Sequence, residues 1–355
     1  MLSGMSGALR SLLLLLSSLL LCLGVSTFYF ARWYTTPMRI PSPSVELEVR
    51  EGDGFGSVSS SLATRDVLKY PRVLNLIARA TGADARMHAG EFELRVGTTP
   101  RDLLALLHSQ NTVRYFVTLP EGIRLDEALK TVQSSDGVAP VLSGVHDAAL
   151  LSLVTPHTSA EGFFLPETYQ YERGDTDLEI LTAANALMRD ALTTAWSTRD
   201  PSLPYLDPYE ALVMASIIEK ETGVASERAR IGGVFVRRLE LGMRLQTDPT
   251  VIYGLGPDFD GNLTRAHLRD ERNRYNSYRL KGLPPTPIAL PGRDALAAAL
   301  HPEAGEALYF VARGDGSHEF SSTLEAHNEA VARFQYKRRP DYRSSPAPSL
   351  LQERR

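Results

Sequence analysis

The carboxylates most able to do chemistry lie between Asp207 and Gly256, in DPYEALVMASIIEKETGVASERARIGGVFVRRLELGMRLQTDPTVIYGLG. Glu219 and Glu221 are two residues apart on an expected helix and therefore point in very different directions. Glu219 shares its face with Ala215, Ser216, Thr222 and Gly223, all small, whereas Glu221 lies over Ile217 and Ile218, an apolar row that reads as core. A lone carboxyl above small residues leaves room for a bulky substrate, and partial burial raises a carboxyl toward the range of a general acid or base. A solvated helix with charges at its end accounts for the same spacing.

Further polar groups cluster downstream and upstream. Gln246, Thr247 and Asp248 occupy LQTDPT; Asp248 there orients Glu219, binds a hydroxyl, or serves only as an Asp-Pro turn or helix cap. EGFFLPETYQY sets Glu161 and Glu167 among Phe163, Phe164, Tyr169 and Tyr171. That composition suits a sugar cleft, because ring faces stack on apolar sugar faces and carboxylates accept hydroxyl protons, although core packing explains the aromatics too. Tyr275, Asn276 and Tyr278 make an aromatic-amide patch suited to N-acetyl sugars, with turn formation an equal account of Asn276. His318 either faces substrate or is a hydrogen-bonded structural histidine.

Several chemistries are excluded by pattern. The eight histidines show no HExxH or other close metal spacing, and neither a Walker loop nor a GxSxG elbow is present, so nothing demands a metal or cofactor. The Gly52-x-Gly54-x-Gly56 run lacks dinucleotide-binding spacing and reads as a turn. A net charge of −4 and a pI near 6.1 give no basic footprint for nucleic acid. The one cysteine, Cys22, makes no internal disulfide.

The elements that must position these groups follow from caps and periodicity. Asp207, Pro208 and Glu210 form a helix start, and that helix runs to about Thr222, ended by Gly223; Ser226 caps a second helix that Gly242 closes. Leu12 to Ala31 is an apolar stretch of transmembrane length, without a convincing cleavage site, and is expected as an uncleaved anchor. TTPMRIPSPS is a Pro/Ser linker lifting the body off the bilayer. Strands near 45–50 and 90–96, with helices near 58–68, 71–80 and 100–108, predict a small α+β unit. A strand at 113–119 and the EGIRLDEALKTV helix open a larger domain, in which residues 131–160 cannot be placed. A helix spans 178–197, GLPPTPIALPG forms an extended rim, DALAAALHP is a short helix, and LYFVARGDGSHEFSST is a hairpin around 314–316. The expected class is α+β: one N-terminal transmembrane helix, a small α+β module and a larger mixed α/β domain. The boundaries are 1–11 N-terminus, 12–31 anchor, 32–44 linker, 45–112 module, 113–337 large domain and 338–355 disordered tail.

ASIIEKETG at 215–223 and VFVRRLELGMRLQTDPTVIYGLG at 234–256 resemble the core of the YceG-like family, the membrane-bound endolytic murein transglycosylases. EGFFLPETY at 161–169, YNSY at 275–278, GLPPTPIALPG at 282–292 and LYFVARGDGSHEF at 308–320 match in the same order, and the resemblance reaches about residue 335. It implies that the first glutamate of IEKE, Glu219, is the catalytic acid/base, and that Glu161, Glu167, Tyr169, Gln246, Thr247, Asp248, Tyr275 and Asn276 line the substrate site. It implies a LysM-like module, a cytoplasmic N-terminus, a periplasmic body on the inner membrane, no cofactor, and peptidoglycan strands as substrate, with synthases as possible partners. One glutamate then protonates the bond between N-acetylmuramic acid and N-acetylglucosamine and deprotonates the C6 hydroxyl of the same muramic acid, leaving a 1,6-anhydro end. The rivals are a hydrolytic muramidase that uses a second carboxylate such as Asp248, and a non-catalytic glycan-binding scaffold.

Overall fold

The computed structural model describes residues 7–336 apart from 42, 51 and 110. The first six residues of the expected cytoplasmic N-terminus and the whole 338–355 tail lie outside these. Contacts divide the described chain into two units, one running to Tyr115 and taking in Glu172–Gly174, the other holding Phe116–Tyr171 and the residues from Asp175 onward.

The first unit begins with helix α1, Gly7–Thr35. Its Ser11–Thr35 stretch has a mean hydropathy of 2.2 and is the one helix among the described residues long and apolar enough to cross a membrane. The hydroxyls of Ser17, Ser18 and Thr27 donate to the helix's own carbonyls, on Leu14 at 2.9 Å, Leu15 at 2.9 Å and Leu23 at 2.8 Å, which lowers the cost of placing them in an apolar medium. Beyond its end, Met38 and Ile40 pack against the unit's core together with Trp33 and Tyr34, and the Met38 N–H donates to the Thr98 carbonyl at 2.9 Å. The first residues of the expected linker are therefore part of the packed unit.

Strands β1, Ser44–Val49, and β2, Gly90–Arg95, pair antiparallel with Leu47 opposite Phe92. Their alternation turns Leu47, Val49, Phe92 and Leu94 inward, onto helices α2, Phe55–Thr64, α3, Pro71–Thr81, and α4, Pro100–Leu107. Leu62, Leu74, Leu103 and Leu107 from those helices are fully buried in the same core. Proline opens α3 and α4, and Thr99 and Asp102 form a capping box on α4.

The second unit opens within β3, Tyr115–Thr118, at Phe116; β3 pairs with β4, Thr168–Tyr171, and between them lie α5, Leu125–Gln133, and the short α6, Ala148–Ser152. The unit is mixed helix and strand, but among the described residues its sheets have only two strands each, and helices make the core. Helix α7, Asp177–Ser197, starts at a Thr176–Glu179 capping box. Helix α8, Pro208–Glu221, starts as its residues dictate: the Asp207 side chain accepts from the Glu210 N–H at 3.0 Å, and Pro208 fills the first turn. Ala211 to Ile218 are all buried, so α8 is enclosed on every side rather than amphipathic.

Thr222 ends α8 by turning extended. Ser226 does not cap the next helix: Ala225–Glu227 form a 3-10 turn, and α9 begins at Arg228 and runs to Glu240. Gly242, at φ +64, then supplies the left-handed residue that closes α9. Pro249 does not stop a helix but sits in the first turn of α10, Asp248–Leu255. Helix α11, Arg265–Arg269, precedes the YNSY loop, and α12, Arg293–Leu300, packs on α8 and α9 through buried Ala295, Leu296 and Ala299. Strands β5, Tyr309–Ala312, and β6, His318–Ser321, form the expected antiparallel hairpin, and α13, Leu324–Val331, follows.

Candidate active site

The last turn of α8 carries two carboxyls into different surroundings. Glu221 lines a cavity of about 400 Å³ with Arg238, Gln246, Thr247, Asp248, Tyr278, Tyr309 and His327. That is the size of an ordinary small-ligand pocket. The Thr247 hydroxyl donates to Glu221 Oε1. Burial pushes the Glu221 carboxyl up to about 7, and the Asp248 charge pushes the same way, against the Thr247 bond and the Arg238 cation. Asp248 Oδ1 accepts from the Tyr278 hydroxyl at 2.7 Å.

Each wall has a local cause. Arg238 is buried because carbonyls hold its guanidinium: Nε donates to Leu308 at 2.7 Å and Nη1 to Leu245 at 2.6 Å. Gln246 sits at φ +50, a region costly for a residue with a side chain, and its N–H donates to the Ser277 carbonyl at 3.2 Å. This turn presents Gln246 outward, while Thr247 stays buried against Ser277 and Glu221. Burial, then the Arg238 charge, lowers the His327 imidazole below its ordinary value, which keeps it neutral at physiological pH.

Glu219 faces elsewhere. Its side chain is 5% exposed; Oε1 pairs with Arg228 Nη2 at 3.3 Å and Oε2 accepts from the Gly292 N–H at 2.9 Å. Arg228 also reaches Glu121 and Asp294, each at 3.3 Å. Gly292 leaves room there for the Glu121 side chain, whose Oε1 a Cβ would approach to 1.9 Å unless that side chain shifted. Burial, then the Glu219 charge, raises the Glu121 carboxyl. The small residues beneath Glu219 do not floor a cleft. Ala215 and Ser216 are fully buried, and the Ile288 N–H donates to the Ser216 hydroxyl at 3.0 Å, so small size here permits close chain packing.

The other expected site residues are dispersed. Glu161 is 6% exposed, accepting from the Leu125 N–H at 2.9 Å and the Tyr253 hydroxyl at 3.1 Å, and burial raises its carboxyl to about 7. Tyr275 stands edge-on to Tyr253 at 4.8 Å and bonds Thr286. Tyr169 is buried with its hydroxyl on the Leu165 carbonyl, and Glu167 is exposed. Asn276 is fully buried and donates to the His267, Leu268 and Asp270 carbonyls, so it holds its own loop rather than a sugar. His318 is structural, bonded to Glu227 at 2.7 Å. Only Gln246, Thr247 and Asp248 of the expected substrate residues reach the Glu221 cavity. Sequence reasoning singled out neither Arg238 nor Tyr309, although both lie in the quoted 234–256 and 308–320 segments, nor His327, which lies beyond them; Tyr278 was visible in the YNSY patch.

Comparison with known proteins gives a consistent result. A profile of the YceG-like family matches residues 47–333. An endolytic murein transglycosylase of Bacillus subtilis is 28% identical over 309 residues, covering 82% of this chain and 85% of that protein. One from Streptococcus pneumoniae serotype 2 is 26% identical over 343 residues, covering 86% of this chain, which spans 62% of that longer protein. The crystal structure of a YceG-like protein from Listeria monocytogenes superposes with a TM-score of 0.51 at 27% identity, covering 81% of this chain and 99% of that one.

Proposed function

This chain belongs to the YceG-like family, and on that premise we propose that it is a membrane-anchored endolytic murein transglycosylase whose acid/base is Glu221. It cleaves within peptidoglycan glycan strands as a lytic transglycosylase, the activity named for its relatives. The observation that carries the residue assignment is the Glu221 carboxyl, raised to about 7 on the wall of a cavity that also holds Asp248. A carboxyl with that value holds a proton on about half the molecules at neutral pH and can both give and take one. Glu221 protonates the glycosidic oxygen as the bond to the muramic anomeric carbon breaks. The C6 hydroxyl of the same sugar then attacks that carbon and passes its proton to the Glu221 carboxylate, so no water is consumed. An intramolecular nucleophile gains the proximity advantage that an external water lacks. Asp248, opposite in charge to the oxocarbenium ion formed on the way, favours that charge and keeps the proton on Glu221 beforehand.

A second reading places the acid/base on Glu219, at the same helix end. The raised Glu121 carboxyl beside it favours that reading, since Glu219, Glu121 and Asp294 share one arginine there. Digestion of purified glycan strands by the Glu221→Gln and Glu219→Gln proteins separates the two. The proposal expects Glu221→Gln to lose cleavage while still binding strands, and Glu219→Gln to keep most of it; the reverse order would move the assignment to Glu219.

Helix α1 serves as a single-pass anchor, with the N-terminus in the cytoplasm and the body outside the inner membrane. Residues 45–112 act as a LysM-like module that positions glycan, and 113–337 as the catalytic domain. Cutting where new strands leave the membrane would set strand length, with peptidoglycan synthases as partners.

A further inference from the structure

The corner where α1 leaves its apolar stretch carries features that the cleavage reaction does not use. Trp33, at the end of α1, meets Tyr70 edge-on at 5.7 Å, and Lys69 Nζ lies 5.3 Å from the Tyr70 ring centre. Aromatic and basic side chains of this kind belong at the level of lipid headgroups. Tyr70 is the residue from which α3 starts, so α3 begins at that level.

Helix α3 has two faces. Leu74 and Ala78 are buried in the unit's core. The opposite face exposes Arg72, Val73, Leu76 and Arg79, with Leu76 70% exposed, and PRVLNLIARAT contains no acidic residue. Exposed aliphatics between arginines, without carboxylates, are the composition of a helix lying in a membrane interface. Leu76 is six residues from Tyr70, or about 9 Å along a helix at ~1.5 Å per residue, comparable to the thickness of one headgroup layer. Beside this corner a pocket of about 270 Å³ is lined by Trp33, Arg39, Lys69 and Asp66 among others, with Asp66 paired to Arg39 at 3.3 Å, so that Lys69 carries the cation there without an ion-pair partner among the described residues.

We propose that the outward face of α3 lies on the headgroup layer of the membrane that α1 spans and binds anionic phospholipid there. The proposal rests on reading α1 as an anchor. Charge complementarity and continuity with the α1 end select a lipid surface over a protein groove. The docked helix holds the first unit against the bilayer by a second contact, independent of the anchor.

The test uses the full chain with Cys22→Ser in nanodiscs of phosphatidylcholine, with or without phosphatidylglycerol, and a quencher in the upper acyl chain. Bimane is attached at Leu76→Cys, or at Leu20→Cys within α1 as a control. Leu76→Cys bimane should be quenched, more strongly with phosphatidylglycerol. Arg72→Glu with Arg79→Glu should lower the docking equilibrium constant by at least roughly fivefold per arginine, from about 1 kcal/mol for each basic residue lost near an anionic surface. Quenching at Leu20→Cys without quenching at Leu76→Cys would overturn the docking and leave the anchor standing. Loss of both signals would refute the anchor and the docking with it, and quenching indifferent to phosphatidylglycerol would refute recognition of anionic lipid.

Discussion

Replacing Glu221 by glutamine should remove activity and add stability above neutral pH. The Glu221 carboxyl is raised from 4.5 to about 7 by burial. The folded protein therefore holds a proton that the unfolded chain releases between those values, and stability falls as pH rises through that window. A shift of that size removes roughly 3 kcal/mol of stability once pH exceeds 7, at about 1.4 kcal/mol per unit. Glutamine does not ionise, so the penalty disappears, while the altered bond to Thr247 gives back about 1 kcal/mol. A net gain of roughly 1–2 kcal/mol at pH 8 corresponds to a Tm increase of several degrees, at ~2–4 °C per kcal/mol for a unit of this size. At pH 4.5 the gain should vanish, because the wild-type carboxyl is then protonated in the folded state. Glu161, also raised to about 7, tilts both proteins equally and cancels. With Trp33→Phe in both backgrounds, Trp196 is the one tryptophan left and reports unfolding of the second unit. Parallel stability curves for the two proteins from pH 4 to 8 would refute the burial argument for Glu221.

Three other outcomes follow from the same geometry. If Glu221 is the acid, turnover of glycan strands should decline as pH rises through about 7, with the upper limb of the pH–rate profile reporting its deprotonation; a profile flat from pH 6 to 8 would contradict this. Arg228→Met leaves the nearly buried Glu219 carboxylate without its cation, keeping only the Gly292 N–H, and should cost about 3 kcal/mol in urea unfolding, whereas Arg228→Lys should recover part of it. Gly232→Ala places a Cβ 2.5 Å from the Ala298 carbonyl oxygen, forcing α9 from α12; chemical denaturation should show a loss of about 1–3 kcal/mol.

Local structure was legible where a few neighbouring residues decide it. Asp207, Pro208 and Glu210 mark the start of α8, and the alternation of Val45–Arg50 and Gly90–Val96 marks the β1–β2 pair, because caps and pleats depend on adjacent residues. The helical wheel also separated Glu219 from Glu221. What it could not supply was the identity of the partner on each face. Ile217 and Ile218 are core, but the row they define continues one turn further, past the apolar packing, and so delivers Glu221 to a polar cavity. The small residues under Glu219 are spent on close packing by the Ile288 backbone. Both facts depend on chain segments far away in sequence. Asn276 and Tyr169 leave two readings open in the sequence for a related reason: a polar or aromatic side chain suits a sugar cleft or a buried loop equally well until its burial is known.

The most direct test of the account is the mass of the new ends when the full chain digests intact glycan strands, alongside the Glu221→Gln protein. The account predicts 1,6-anhydro-muramic ends, lighter than hydrolytic ends by one water, and their disappearance in Glu221→Gln. Ordinary reducing ends, or anhydro ends that persist at the wild-type rate in Glu221→Gln, would contradict it.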